Sequence, residues 1–408
     1  MNFFRKYQRI LYFSLIFLLG VFFIYILSIA LSPSTPVDNS QNNSNKTVNG
    51  DFPTAGNRDR STSSISDNID LPSANNRKAS EIANGDLTMT EQISTSSVNS
   101  IAIDRTSNGL KYYDKDTGRF YKIDQNGQKI SMSDKIFFNA SNVIWSKISD
   151  TAIIEYPDNS NIIYNFTTQK QTTMPKHWQD FEFSPANDQI VTKSIGLDPN
   201  NRWLAITNAD GTNEQILEAL GEKENTVRTS WSPNDRVVAL QVEGRSLNRQ
   251  EVYFIGKNNE NFKSTTVEGR DFRSQWAPDG SNLLYSVYSS DNDFKPKLWA
   301  VSANGDTIGE KRIDLGVETW SDKCVFSSAT EAYCAVPQNL PAGAGITPEI
   351  AAKIPDSIYR IDITNGQKRL VAIPDGSFNI NNIAISPNAK SLFFTDRNDQ
   401  RIYKIKLK

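Results

Sequence analysis

The sequence predicts an all-β fold, a seven-bladed β-propeller, carried behind one N-terminal transmembrane helix and a disordered tether. Three observations lead there: a hairpin motif that recurs seven times after residue 100, a short strand with a large central residue after each copy, and a last copy that stops one strand short. The chain has 408 residues, more than the roughly 100–200 that a typical domain holds, so a modular layout is expected.

In chain order, residues 1–9 form a short cytoplasmic tail, MNFFRKYQR, with Arg5, Lys6 and Arg9 and no acid. Ile10 to Leu31 follows without a single charge. A helix of that length spans roughly 33 Å, enough for a hydrocarbon core of roughly 30 Å. The cationic flank keeps the N-terminus in the cytoplasm and sends the rest outside, to the cell surface or periplasm. A cleaved signal peptide is the competing reading, with Ser28 and Ala30 as small residues before the cut, but the apolar run is longer than the usual roughly 7–15 residues. Residues 32–85 are rich in Ser, Asn, Thr, Asp, Gly and Pro and lack an apolar period. Such a stretch cannot bury enough apolar surface to offset its ordering entropy and reads as a flexible tether.

The propeller is expected over residues 86–408. Its hairpin motif is clearest as FEFSPANDQIVTKS from Phe181, TSWSPNDRVVALQV from Thr229, SQWAPDGSNLLYSV from Ser274 and NIAISPNAKSLFFTD from Asn382. Weaker copies start at Ile101, Val143 and Cys324. The first two lack the turn proline, which leaves six or eight blades as alternatives. Pro, Asn, Asp and Gly at the centre supply the backbone angles that a tight hairpin needs. The strand after each copy centres on Tyr121, Tyr164, Leu204, Tyr253, Trp299, Tyr359 or Tyr403, and a turn with a fourth strand follows all but the last. Short strands in groups of four at this spacing are a propeller's signature. Because the chain ends at Lys408 after a third strand, residues 87–95 are expected to supply the outer strand of the last blade and remove the open edge.

These motifs, best preserved as SPND, APDG and SPNA, resemble the TolB-type, WD-repeat-like propellers of bacteria over about residues 100–408. The layout also resembles membrane-anchored exported propellers of uncharacterised lineages. TolB's separate N-terminal domain has no counterpart here, so its envelope role is not implied. The resemblance implies a fold; this fold hosts scaffolds, receptors and enzymes alike.

Folding the sixth hairpin about Ala329 brings Cys324 opposite Cys334, and exported thiols so placed should form a disulfide; two buried free thiols are the alternative. The insertion from Gln338, QNLPAGAGITPEIAAKIPDS, decorates the face shared by second-to-third-strand and blade-to-blade connections. Thr347 and Pro348 read there as N-cap and first residue of a short helix. Other connections bring Arg202, Arg245, Arg249, Asp291, Asp293 and Lys295 to the same face, as a binding patch or a solvated rim. Trp145, Trp231 and Trp276 share one repeat position and read as blade packing. Trp178, with His177 next to it, and Trp320 fall in or beside blade-to-blade connections; plain packing of the loop is the first reading, and aromatic contact with a partner is the other.

Catalytic and metal motifs are missing from the sequence. There is no G-x-S-x-G or H-E-x-x-H, and His177 is the single histidine. GAGITP has Pro348 where a dinucleotide loop needs its third glycine, and YDKDTG lacks EF-hand spacing. Neither a cofactor nor a metal is called for. The net charge of −2 argues against a nucleic-acid partner. The expected function is therefore a non-enzymatic, membrane-tethered extracytoplasmic module that binds a protein or a cell-envelope polymer. The alternative is a propeller hydrolase or lyase acting on glycans, with Asp291 and Asp293 as its acids.

Overall fold

A computed structural model describes residues 78–408, apart from 106 and 125. The described chain is all-β, and its strands form seven sheets, the blades of a propeller. In each blade the first strand is innermost and the chain meanders outward. Blades 1 to 7 begin their inner strands at Val98, Asn142, Trp178, Val227, Arg270, Cys324 and Ile380. Among the described residues no helix is long and apolar enough to cross a membrane. The expected membrane helix at 10–31, and the tether up to residue 77, lie outside the described residues.

The Ser-Pro-type turns work as their composition requires. Asn187, Asp235, Gly280 and Ala389 occupy the same place in four copies and all adopt a left-handed conformation, with φ of 60°, 60°, 70° and 53°. Each donates its N–H to the carbonyl three residues back, on Ser184, Ser232, Ala277 or Ser386. Asn, Asp and Gly reach this conformation at little cost, which is why they recur. Strands carry their apolar residues toward neighbouring blades, and the core lies between the sheets. Between blades 1 and 2, for instance, Phe120 meets Phe137, Trp145 and Phe166 at centroid distances of 5.2, 5.4 and 4.8 Å. The tryptophans at the shared repeat position do pack there, each donating its indole N–H: Trp145 to Ser100 O, Trp231 to Asp235 and Trp276 to Ser230.

The ends of the ring meet at the seam between blades 6 and 7. Glu91 and Gln92 pair antiparallel with Lys404 and Tyr403, supplying the fourth strand of blade 7. Leu87 and Thr88, expected in the same strand, instead run parallel to Ile373 and Pro374 as a fifth strand of blade 6. Two hydrogen bonds to Asp375 mark the crossing: its N–H donates to Thr88 O, and its carboxylate accepts from Thr90 N–H. Packing against the propeller also begins before the expected boundary at residue 86. Ala83 is 4% exposed within the blade 6–7 core, its N–H donates to Lys406 O, and Gly85 N–H donates to Val371 O. Those bonds and that burial offset the ordering entropy that composition alone could not.

The inner strands of blades 1, 3, 5 and 7 share a device that the sequence did not signal. Each carries a register shift near its start, between Asn99 and Ile101, Gln179 and Glu182, Arg270 and Arg273, and Ile380 and Ile383. Such bulges re-aim side chains near binding sites. Here they lie on the face where blade-to-blade connections enter.

Candidate functional site

Two disulfide-linked strands anchor the site. Cys324 and Cys334 are directly opposite in the hairpin and bonded, 3% and 0% exposed. The turn just before them, Ser321–Lys323, is a short 3-10 helix held by Ser321 N–H donating to Ser286 Oγ and by Gln275 Nε2 donating to Ser321 O. The insertion of blade 6 then folds down beside it. Gly343 and Gly345 donate their N–H groups to Asp293 O and Phe294 O of blade 5. Gly345 passes so close that a Cβ there would lie 2.5 Å from Tyr288 Cβ and 2.7 Å from Phe294 O. The predicted helix in this insertion is a 3-10 turn, Pro348–Ala351, and Thr347 makes no side-chain cap.

Blade 7 closes the arrangement. Asn379 donates Nδ2 to Ala351 O at 2.8 Å and Ile354 O at 3.1 Å, and its N–H donates to Asp396 Oδ1 at 2.8 Å. Asp356, at the far end of the insertion, receives Lys323 Nζ on both oxygens at 2.8 Å and Ile380 N–H at 2.6 Å. Its side chain is 0% exposed, against 9% for Lys323, so this is a buried ion pair tying three segments together. Burial pushes the Asp356 carboxyl up and the Lys323 ammonium pulls it back down. Asp396 is also held above the ordinary carboxylate range, chiefly by burial, against the hydrogen bonds from Asn379 and Asn398.

These segments enclose a cavity of about 390 Å³. Arg273 of blade 5, Trp320 and Asp322 bound one side; Pro348 and Glu349 of the insertion contribute another. Asn381, Asn382, Asp396 and Arg397 come from blade 7, and Asn99 and Lys115 from blade 1. Arg273 is well fixed: Nε and Nη2 converge on Asp271 Oδ2 at 2.9 and 2.8 Å, and Nη1 reaches Asp322 Oδ2 at 2.9 Å. Asp271 adopts φ 54° within the blade 5 bulge, which turns its carboxylate to the guanidinium. Trp320 Nε1 and Ser321 Oγ are buried without a hydrogen-bond partner, a cost of about 1–3 kcal/mol each in a dry site. The lining can form many directional hydrogen bonds, since each Asn or Gln amide both donates and accepts. Among the described residues no group of three or more His, Cys, Asp or Glu side chains could hold a metal ion.

Of the candidate contact residues named from the sequence, Trp320 alone lines this cavity. It presents no open aromatic surface: it is 6% exposed, packed with Leu340, Ala344, Ala351 and Ile354 under the insertion. Trp178 is likewise buried, at 3%, among Phe181, Phe183 and Ile163, because it begins an inner strand rather than sitting in a loop. His177 beside it is exposed, and its carbonyl accepts from Ile195 N–H. Arg202 is neutralised by Glu224 at 3.0 Å and Arg249 by Glu268 at 2.8 Å. Arg245 lies against Tyr253 and bonds its hydroxyl. Lys295 pairs with Glu318 at 3.4 Å, and Asp291 is exposed in the 3-10 turn beside it, touching Ser290. The structure therefore does not gather these residues into one site. Asn379, Asn381 and Asn382 went unnoticed, although amides crowded into a strand start run against β-propensity and were a usable signal.

Known proteins add the fold. No protein-family model matches the chain, and no curated protein matches it significantly. Among solved structures, it is similar to an oligogalacturonate lyase in complex with manganese, at TM-score 0.54 and 14% identity over 78% of this chain and 90% of that one. The Cps50 (Swd1) β-propeller domain of Myceliophteria thermophila gives 0.52 and 13%, covering 78% and 100%. The tricorn protease gives 0.50 and 12%, covering 76% of this chain and 33% of that protein. At such identities the likeness concerns the propeller alone.

Proposed function

We propose that the chain is a membrane-tethered, extracytoplasmic binding module of TolB-like type that grips a hydroxyl-rich cell-envelope polymer in the cavity between blades 5, 6, 7 and 1. The observation that carries this reading is the cavity's lining: amides of Asn99, Asn381, Asn382 and Gln400, with charged neighbours, under an insertion pinned by Asn379. Paired donors and acceptors on a rigid frame suit vicinal hydroxyls, and the bonds that hold the frame exist without a ligand. The charge-free run Ile10–Leu31 behind Arg5, Lys6 and Arg9 supports the tethering half of the reading.

A second reading, turnover of a glycan, draws on Asp396, whose carboxyl is raised by burial and lines the cavity, as a general acid must. The structurally similar lyase carries a glycan in its name, although the likeness extends only to fold. One experiment separates the two. Purified full chain is titrated calorimetrically with peptidoglycan fragments and polysaccharide oligomers, and each mixture is then analysed for products. Binding that weakens at least about tenfold in an Asn381→Ala/Asn382→Ala variant, with no products, supports the module. Products that disappear in Asp396→Asn support the enzyme. Absence of binding to every glycan overturns both.

A further inference from the structure

Resting on that reading, we infer that the polymer is acidic, and that Arg273 receives its carboxylate by releasing Asp322. Arg273 and Asp322 occupy a special place: both line the main cavity and also a second one of about 220 Å³, which is bounded further by Arg228, Thr229, Ser230 and Phe272. The ion pair between them therefore divides two adjoining cavities. A ligand group that parts it joins them into one longer groove, the shape a linear oligosaccharide needs.

The two acids on Arg273 are unequal. Asp271 is 29% exposed and takes two guanidinium nitrogens on one oxygen, fixing the plane of the group. Asp322 is 57% exposed, rides on a three-residue turn and holds Nη1 alone. The Asp322 carboxylate is more than half in solvent and makes this one contact, so it is exchangeable. An incoming carboxylate reproduces the same charge-assisted hydrogen bond without removing Asp271. The Arg273 guanidinium also lies 5.9 Å from the Trp320 ring centroid, which supports the cation from below.

Although Glu349 and Asp396 also line the main cavity, the cations without an ion-pair partner point the same way. Arg228 on the second cavity and Arg397 on the main one are exposed and have no ion-pair partner among the described residues. Lys115 Nζ donates to the neutral Gln400 amide and has no ion-pair partner among the described residues. Cations thus stand at both ends of the divide. The amides between them favour a sugar over an acidic peptide, because each hydroxyl donates and accepts at one atom, as a side-chain amide can match, whereas a peptide's N–H only donates and its carbonyls and carboxylates only accept.

The test uses the full chain and three probes: a hexuronate tetramer, a neutral hexose tetramer of the same linkage, and a hexapeptide of Glu and Asp. Wild-type protein should bind the uronate at least about tenfold more tightly than the neutral sugar, and the preference should shrink with added salt. Asp322→Asn, which removes the competing charge, should widen the preference by about three- to tenfold, and Arg273→Gln should collapse it toward one. Thermal unfolding of both variants guards against misfolding, and Asp322→Asn, being exposed, keeps the test alive if Arg273→Gln unfolds. Equal affinity for the two sugars, or a narrowed preference in Asp322→Asn, overturns the inference while leaving the glycan-binding module standing. Tighter binding of the peptide overturns the sugar assignment. Failure of both sugars to bind overturns the module itself.

Discussion

Blades 3 and 4 and blades 5 to 7 present loops on the same face, yet they use them differently. On blades 3 and 4 the connections end in open side chains: Leu197 is 102% exposed and Leu247 90%. Their arginines are satisfied locally, Arg202 by Glu224 and Arg249 by Glu268. On blades 5 to 7 the connections are tied to one another, through Lys323–Asp356, through Asn379 and through the glycines bonded to Asp293 and Phe294. The larger of the two cavities forms in the second sector, and the smaller lies where blade 4 meets blade 5. The lesson is that loop charge does not make a site; a connection long enough to fold down and be pinned does.

The largest consequence of this contrast should appear on breaking the buried pair. Lys323→Ala leaves Asp356 buried without its cation and should cost about 3–5 kcal/mol, read as a lowered urea midpoint. Arg249→Ala, on the other side of the face, removes an ion pair whose members are 60% and 55% exposed and should cost less than about 1 kcal/mol. Similar costs for the two would erase the distinction between the sectors.

A smaller effect belongs to the disulfide. Its loop is short, with a separation of 10 residues, and replacing both Cys324 and Cys334 with Ala should lower stability by about 2–4 kcal/mol. The loss should also loosen the adjoining turn, whose Trp320 backs the Arg273 guanidinium, so ligand affinity should fall with it. Unchanged affinity in a folded double variant would mean that the turn is held by Ser286 and Gln275 alone.

The mildest prediction concerns pH. Asp396 has a folded-state pKa above its ordinary value of 3.8, so the folded protein holds this proton more strongly than the unfolded chain. Its contribution to stability is then present at low pH and is lost as pH rises from about 3.8 through the raised folded value. Wild-type protein should accordingly lose stability relative to Asp396→Asn across that window. A constant difference between the two proteins would show that Asp396 is not desolvated.

Much of the fold was legible because a repeat announces itself. The turn residues Asn187, Asp235 and Gly280 were readable from local backbone chemistry alone. Cys324 and Cys334 followed from hairpin register. The site was hidden for a different reason. Its walls come from four blades, and the bulges that aim Asp271 and Asn381 inward are register shifts between strands, which composition does not encode. Trp178 and Trp320 match no repeat position, so packing and partner contact were both open in the sequence; both side chains are packed, Trp320 beneath Leu340 and Ala351. The seam shows the same limit: that residues near 90 return to the last blade was readable, but not that Leu87 stops first at blade 6.

Hydrogen–deuterium exchange of the full chain, with and without a saturating acidic oligosaccharide, tests the location of the site most directly. Added protection is predicted in residues 319–323, 348–352, 379–382 and 395–400, with little change in 197–202 and 245–249. Protection confined to the latter two segments would contradict the account and move the binding surface to the open loops of blades 3 and 4.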